Sequence, residues 1–73
     1  MGVKLGAELR HRRKRAGLKM ADLEESTGYS ESMLSLVERG RWPSDADRVV
    51  NAYAEALGTT PHAIWRAALN RPD

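Results

Sequence analysis

The feature that most constrains the fold of this chain is Gly28, which separates two short segments with helical periodicity. Before it, Leu23 and Thr27 lie one helical turn apart. After it, Leu34 and Val37 have the i, i+3 spacing of residues on one helix face. Glycine adopts the left-handed conformation without a steric penalty, so the chain can reverse steeply at this point. The pattern therefore predicts a helix, a tight turn and a second helix.

Similar signals predict an all-α chain of five helices with no strand pattern. Glycines follow the apolar stretches, and hydroxyl residues or proline precede them, as at helix ends. Ser30 is expected to cap the third helix, and Ser44-Asp45-Ala46-Asp47 resembles a capping box for the fourth. The predicted helices are 3–16, 20–27, 30–39, 44–57 and 60–69. The tail, residues 70–73, is expected to fray.

The apolar spacing also predicts which residues build the core. Leu34 is expected to be its central residue on the third helix. On the first helix the stripe consists of Leu5, Leu9, Arg13 and Ala16. On the fourth and fifth helices it consists of Ala46, Val50, Tyr53, Leu57, Ile64, Trp65, Ala68 and Leu69.

Length and composition restrict the class of protein. A chain of 73 residues is expected to form one domain, residues 1–73, with a marginal core. The absence of cysteine excludes disulfides and suggests a reducing cytoplasm. No apolar run approaches the ~20 residues that span a bilayer, so no membrane partner is expected.

The net charge of +2 is unevenly distributed. Residues 1–19 contain seven Lys or Arg and one Glu, a balance of +6. Residues 20–39 contain five Asp or Glu and one Arg, a balance of −4, whereas residues 40–73 are neutral. A basic block favours a phosphate-rich or acidic partner, but this block precedes the predicted helix-turn-helix.

The motifs Gly28-Tyr29-Ser30 and Val37-Glu38-Arg39-Gly40, with the leucines between and around them, resemble phage repressor and Cro proteins of the XRE family. The resemblance extends from about Leu5 to Leu69 and implies a compact five-helix, lambda-repressor-like domain with its helix-turn-helix at about 20–39. It also implies an ion pair between Arg13 and Glu38. A bidentate pair would satisfy two buried charges, so both residues are predicted to be structural.

The resemblance implies a sequence-specific transcriptional regulator that acts by occupying an operator, with the third helix in the major groove of double-stranded DNA. The side chains expected to read bases are Glu31, Ser32, Ser35 and Leu36. The residues expected to contact the DNA backbone are Ser30, Arg39, Arg41 and Trp42. Alternatively, the Trp42 ring folds onto the domain and covers its core.

Two positions depart from the family pattern. Met20 stands where members often have a phosphate-binding glutamine, and Glu24 stands where alanine is usual. Glu24 is expected to turn towards an arginine of the first helix. The acidic, partly apolar helix-turn-helix face supports an alternative function, a protein-interaction module such as an antirepressor or adaptor. A third interpretation, an antitoxin, would require a toxin-binding surface that the sequence does not identify.

Other partners and chemistries receive less support. The family precedent makes the fifth helix a dimer contact through Trp65 and Leu69, which would suit a homodimer on a two-fold operator. His11 and His62 lack the companions of a metal site, and no phosphate loop or catalytic triad is present. No enzymatic activity, cofactor or small-molecule ligand is expected.

Overall fold

In the computed structural model, residues 2–42 and 45–72 are described, and they form five α-helices. These residues contain no β-strand, so the predicted all-α class is confirmed. The predicted Ser44 cap and the adjacent Pro43 lie outside the described residues. The helices are α1 Gly2–Arg15, α2 Met20–Thr27, α3 Glu31–Glu38, α4 Ala46–Leu57 and α5 Pro61–Leu69.

The turn between α2 and α3 has the predicted geometry. Gly28 has a φ of 81° and its N–H bonds to the Glu24 carbonyl, which ends α2 in the left-handed conformation. Ser30 has extended backbone, and its Oγ accepts from the Met33 N–H at 3.2 Å. Ser30 is therefore the N-cap, and α3 begins one residue later than predicted.

The core lies between all five helices, and its fully buried members come from each of them. Leu34 is 0% exposed, as its predicted central position requires. α4 differs from the prediction because it packs against α1, α2 and α5, which requires a wider apolar face than one stripe. Ala46 and Leu57 are only half-buried, whereas Val49 and Ala54 are buried beside Val50 and Tyr53. On α1, the predicted core residue Ala16 is exposed, because the helix ends at Arg15.

α1 approaches the end of α3 closely because Gly6 has no side chain. A Cβ at this position would lie 2.5 Å from the Val37 carbonyl oxygen and 2.7 Å from that of Glu38. Both neighbours are backbone atoms, which cannot move aside as a flexible side chain can. Gly6 therefore sets the distance between α1 and the proposed recognition helix.

Arg71, which follows α5, contacts the first helix. Glu8 on α1 is buried and accepts from Arg71 Nε at 2.9 Å and from Arg12 Nε at 2.6 Å. The Arg71 N–H also bonds to the Ala68 carbonyl at 3.2 Å. A carboxylate distant in sequence therefore contacts the guanidinium of Arg71, and fraying of residues 70–73 stays a prediction.

Candidate nucleic-acid interface

The outer face of α3 carries the four residues that the sequence singled out as base readers. Its inner face, with Leu34 and Val37, is fully buried, which fixes the rotation of the helix. The outer side chains line one open concavity. Its lining residues are Met20, Glu31, Ser32, Ser35, Leu36 and Arg39. The structure thus brings the four candidates together on one accessible surface, with one residue from α2 and one cation beside them.

Arg13 and Glu38 are in contact, and they fix α1 against the end of α3. Arg13 Nε donates to Glu38 Oε2 at 2.8 Å and Arg13 Nη2 donates to Glu38 Oε1 at 3.0 Å, so the pair is bidentate. Arg13 Nη1 also donates to the Leu18 carbonyl at 3.0 Å. The two side chains are 12% and 4% exposed. Both are therefore occupied inside the domain and are not placed to read DNA.

Tyr53 is a third member of this network that the sequence reasoning assigned only to the apolar core. Its Oη donates to Glu38 Oε2 at 2.8 Å inside the domain. Burial raises the pKa of Tyr53 above its ordinary value, and the charge and hydrogen bond of Glu38 raise it further. The hydrogen bonds to Glu38 likewise raise the pKa of Arg13, against the opposing effect of burial. A buried tyrosine hydroxyl needs a hydrogen-bond partner, and this requirement was the available signal.

Three of the five acidic residues of 20–39 have partners within the domain. Glu38 is buried in its ion pair. The Asp22 carboxylate accepts from the Lys19 N–H at 2.8 Å at the start of α2. The Glu24 carboxylate accepts from the Glu31 N–H at 3.3 Å, so the expected contact with an arginine of α1 is wrong. Both carboxylates lie at helix N-termini, where the helix dipole favours negative charge.

The loop after α3 presents cations but does not leave its tryptophan free. Arg39 and Arg41 are exposed beside the end of the helix. The Trp42 indole N–H instead donates to the Gly2 carbonyl at 3.0 Å, and the ring packs against the core. The assignment of Trp42 to the DNA backbone is therefore corrected in favour of the alternative, because its single N–H donor already has a partner.

Arg10 belongs to the basic block of α1 and is a further cation at this surface. It lines a second concavity together with Met20, Ser35 and Arg39, next to the first. Arg10 precedes Arg13 by three residues, so both lie on the side of α1 that faces α3. The basic block of α1 is therefore not remote from the helix-turn-helix, because one of its arginines borders the outer face of α3.

The fifth helix leaves one of its two dimer candidates largely exposed. Trp65 is half-buried and packs against the core. Leu69 is 60% exposed at the end of α5, so its predicted place in the core is wrong. Of the two, Leu69 offers the larger free apolar surface for a contact between copies.

The described residues offer little for other kinds of site. They contain no group of three or more His, Asp or Glu side chains arranged to hold a metal ion. None of their helices has the length and apolar character needed to cross a membrane.

Comparisons with known proteins agree with this geometry. A family model described as a helix-turn-helix domain matches residues 4–65. The crystal structure of the clp gene regulator ClgR from C. glutamicum is similar, with a TM-score of 0.81 and 30% sequence identity. The match covers 92% of this chain and 86% of the ClgR chain. A search of curated proteins finds no match. Since the family model spans most of the sequence, this chain belongs to the helix-turn-helix domain family.

Proposed function

We propose that this protein is a sequence-specific, DNA-binding transcriptional regulator that acts by occupying an operator, with α3 in the major groove. The observation that carries the proposal is the single exposed surface formed by the outer face of α3 and bordered by Arg10 and Arg39. The major groove of B-DNA is wide enough to admit an α-helix. The family match and the similarity to a gene regulator support the same function.

The contacts divide into base readers and backbone donors. We assign Glu31, Ser32, Ser35 and Leu36 to the bases, since their side chains line the concavity on α3. Glutamate can accept a hydrogen bond from cytosine N4, and serine can form hydrogen bonds with the edges of several bases. Leucine can make an apolar contact with a thymine methyl group.

We assign the exposed cations around α3 to phosphates. Arg39 and Arg41 follow the helix, and Arg10 borders it from α1. The exposed hydroxyl of Ser30 can donate to a phosphate oxygen while its Oγ accepts from Met33. These donors fix the position and orientation of the domain on the duplex without reading its sequence.

We further propose that the protein binds a two-fold operator as a homodimer with Leu69 in the interface. The support is the 60% exposure of this leucine at the end of α5. A two-fold dimer would present two copies of α3 to major grooves one helical turn apart. Sedimentation of free and DNA-bound protein tests this, and a strict monomer in both states would exclude the dimer. Catalysis has no part in this function.

The direct test is a salt series of binding to duplex DNA, followed by selection of the preferred sequence from a random duplex pool. Phosphate neutralisation predicts that log K falls linearly with log salt, with a slope near −0.9 per phosphate contact. Selection should return a site with two half-sites whose centres lie one helical turn, or a multiple of it, apart. Failure to bind random duplex at low salt would exclude DNA as the partner and leave the protein-interaction alternative.

A further inference from the structure

Two apolar side chains from different helices meet the same concavity on the outer face of α3. Leu36 on α3 is 41% exposed, although its neighbours Leu34 and Val37 are fully buried. Met20 is the first residue of α2, and it lines this concavity as well as the one shared with Arg10. Part of Met20 packs against the core, which holds the side chain in place.

The remaining lining limits what this apolar pair can bind. Ser32 and Ser35 are small, so they leave room for a group to approach, while Glu31 and Arg39 supply polar atoms at the edge. The base edges of the major groove offer acceptors and donors to the polar residues. They offer one apolar group, the C5-methyl of thymine. Leucine and methionine bury such a methyl group favourably, and the flexible methionine adapts to its position.

We infer that Met20 and Leu36 together contact the C5-methyl group of one thymine in each half-site and so form a methyl site. Met20 is then a specificity-determining residue. The inference rests on the proposed function and deepens it. A glutamine at position 20 would offer the backbone a hydrogen-bond donor, whereas methionine has none. Methionine at this position therefore favours an apolar contact over a phosphate contact.

The test removes the methyl group itself. In the selected operator, each thymine is replaced in turn by deoxyuridine, and binding is measured by fluorescence anisotropy. Wild-type protein should lose affinity roughly fourfold at one position per half-site, the factor expected for one methyl-sized group left in water. At the other thymines the change should be below twofold.

Protein variants identify the side chains that hold the methyl group. Leu36→Ala and Met20→Gln should bring the ratio of thymine to deoxyuridine affinities at that position close to one. Val3→Ala is the control: Val3 is also an exposed apolar residue, but it lies on α1 outside this concavity, so the ratio should stay near four. Because Leu36 is exposed, its alanine variant should fold, which circular dichroism checks.

The outcomes separate this inference from the proposed function. The methyl site would be overturned, with DNA binding intact, if deoxyuridine lowered the affinity at no thymine position. It would also be overturned if Leu36→Ala kept the full ratio of thymine to deoxyuridine affinities. If a folded Met20→Gln variant kept the full ratio of thymine to deoxyuridine affinities, Met20 would not contact the methyl group and the inference would be overturned. Absence of binding to any duplex at low salt would overturn both.

Discussion

Tyr53 and Arg13 donate to the same carboxylate oxygen, Glu38 Oε2, each at a distance of 2.8 Å. The three residues come from α4, α1 and α3, so one buried carboxylate connects three helices at the end of α3. A charge in this environment is tolerated because its partners replace the hydrogen bonds of water. The orientation of α3 therefore depends on a polar network as well as on apolar packing.

This network predicts a loss of stability at alkaline pH. Burial raises the pKa of Tyr53 in the folded protein above its ordinary value of 10.0. At a pH between the ordinary pKa of the unfolded chain and the raised pKa of the folded protein, the unfolded chain releases the tyrosine proton and the folded chain keeps it. The stabilisation is thus fully present below about pH 10 and declines above it, by up to ~1.4 kcal/mol per pH unit. Urea unfolding of wild type and Tyr53→Phe between pH 8 and 11 measures this difference.

Tyr53→Phe is expected to be less stable at pH 8, because Glu38 loses a buried donor at a cost of ~1–3 kcal/mol. Its stability should fall less steeply than that of wild type above pH 10, so the two curves converge. Lysine titration affects both proteins equally and cancels in the comparison. Parallel curves across this range would show that Tyr53 gains no proton affinity from folding.

The Arg13–Glu38 pair predicts non-additive mutations. Arg13→Met should destabilise the domain by ~3–5 kcal/mol, because it leaves a buried carboxylate without its cation. The double variant Arg13→Met with Glu38→Leu removes both charges and should recover much of this loss. Thermal and urea unfolding of the four proteins gives the coupling energy. Losses that simply add would contradict an interaction between the two residues.

At Gly6, substitution by alanine should lower the stability of the domain, although helix propensity alone would raise it. Replacing an interior helical glycine by alanine normally stabilises by roughly 0.5–1 kcal/mol. At Gly6 the new Cβ would meet two backbone carbonyl oxygens of α3, so Gly6→Ala should instead destabilise by ~1–3 kcal/mol or more. The neighbouring Ala7→Gly is the reference for propensity alone, with an expected cost of ~1 kcal/mol. A Gly6→Ala protein with a higher melting temperature would contradict the close approach.

The helices and most core residues could be predicted because their signals are local. Gly28 and Ser30 determine the turn through their own backbone and side-chain chemistry, and Leu34 follows from helical periodicity. Contacts distant in sequence carried no such signal. The pairing of Glu8 with Arg71 and the packing of Trp42 over Gly2 depend on how α1 meets the rest of the chain.

The candidate site divides in the same way. The four outer residues of α3 could be identified because burial of Leu34 and Val37 fixes the opposite face. The charge of the surface could not be read from a count alone, because Glu38 is buried in its ion pair with Arg13. The neighbourhood of Arg10 depended on the crossing of α1 and α3, which periodicity alone does not give.

Arg10 predicts a change in salt dependence. If its guanidinium contacts a phosphate, Arg10→Gln should lower the salt slope of DNA binding by about 1 and weaken specific and random duplexes alike. Arg15→Gln is the matched control, because Arg15 is exposed on the same helix but lines a different groove, with Arg12 and Leu57. Its slope should stay close to that of wild type. Equal slopes for the two variants would mean that Arg10 contributes only to the overall charge of the protein and contacts no phosphate.

Glu31 provides the sharpest test of the placement of α3, because a carboxylate near phosphates opposes binding unless it reads a base. Glu31 is exposed and lines the concavity with Ser32 and Ser35. Glu31→Gln should raise affinity for random duplex and relax the preference at one base pair, most simply a cytosine, by ~1–3 kcal/mol. Binding to operators varied singly at each base pair measures both effects. Glu25→Gln removes the same charge from an exposed position outside the concavity, so it should leave every base preference unchanged. If Glu31→Gln also leaves all preferences unchanged in a protein that binds DNA, the outer face of α3 does not lie against the bases.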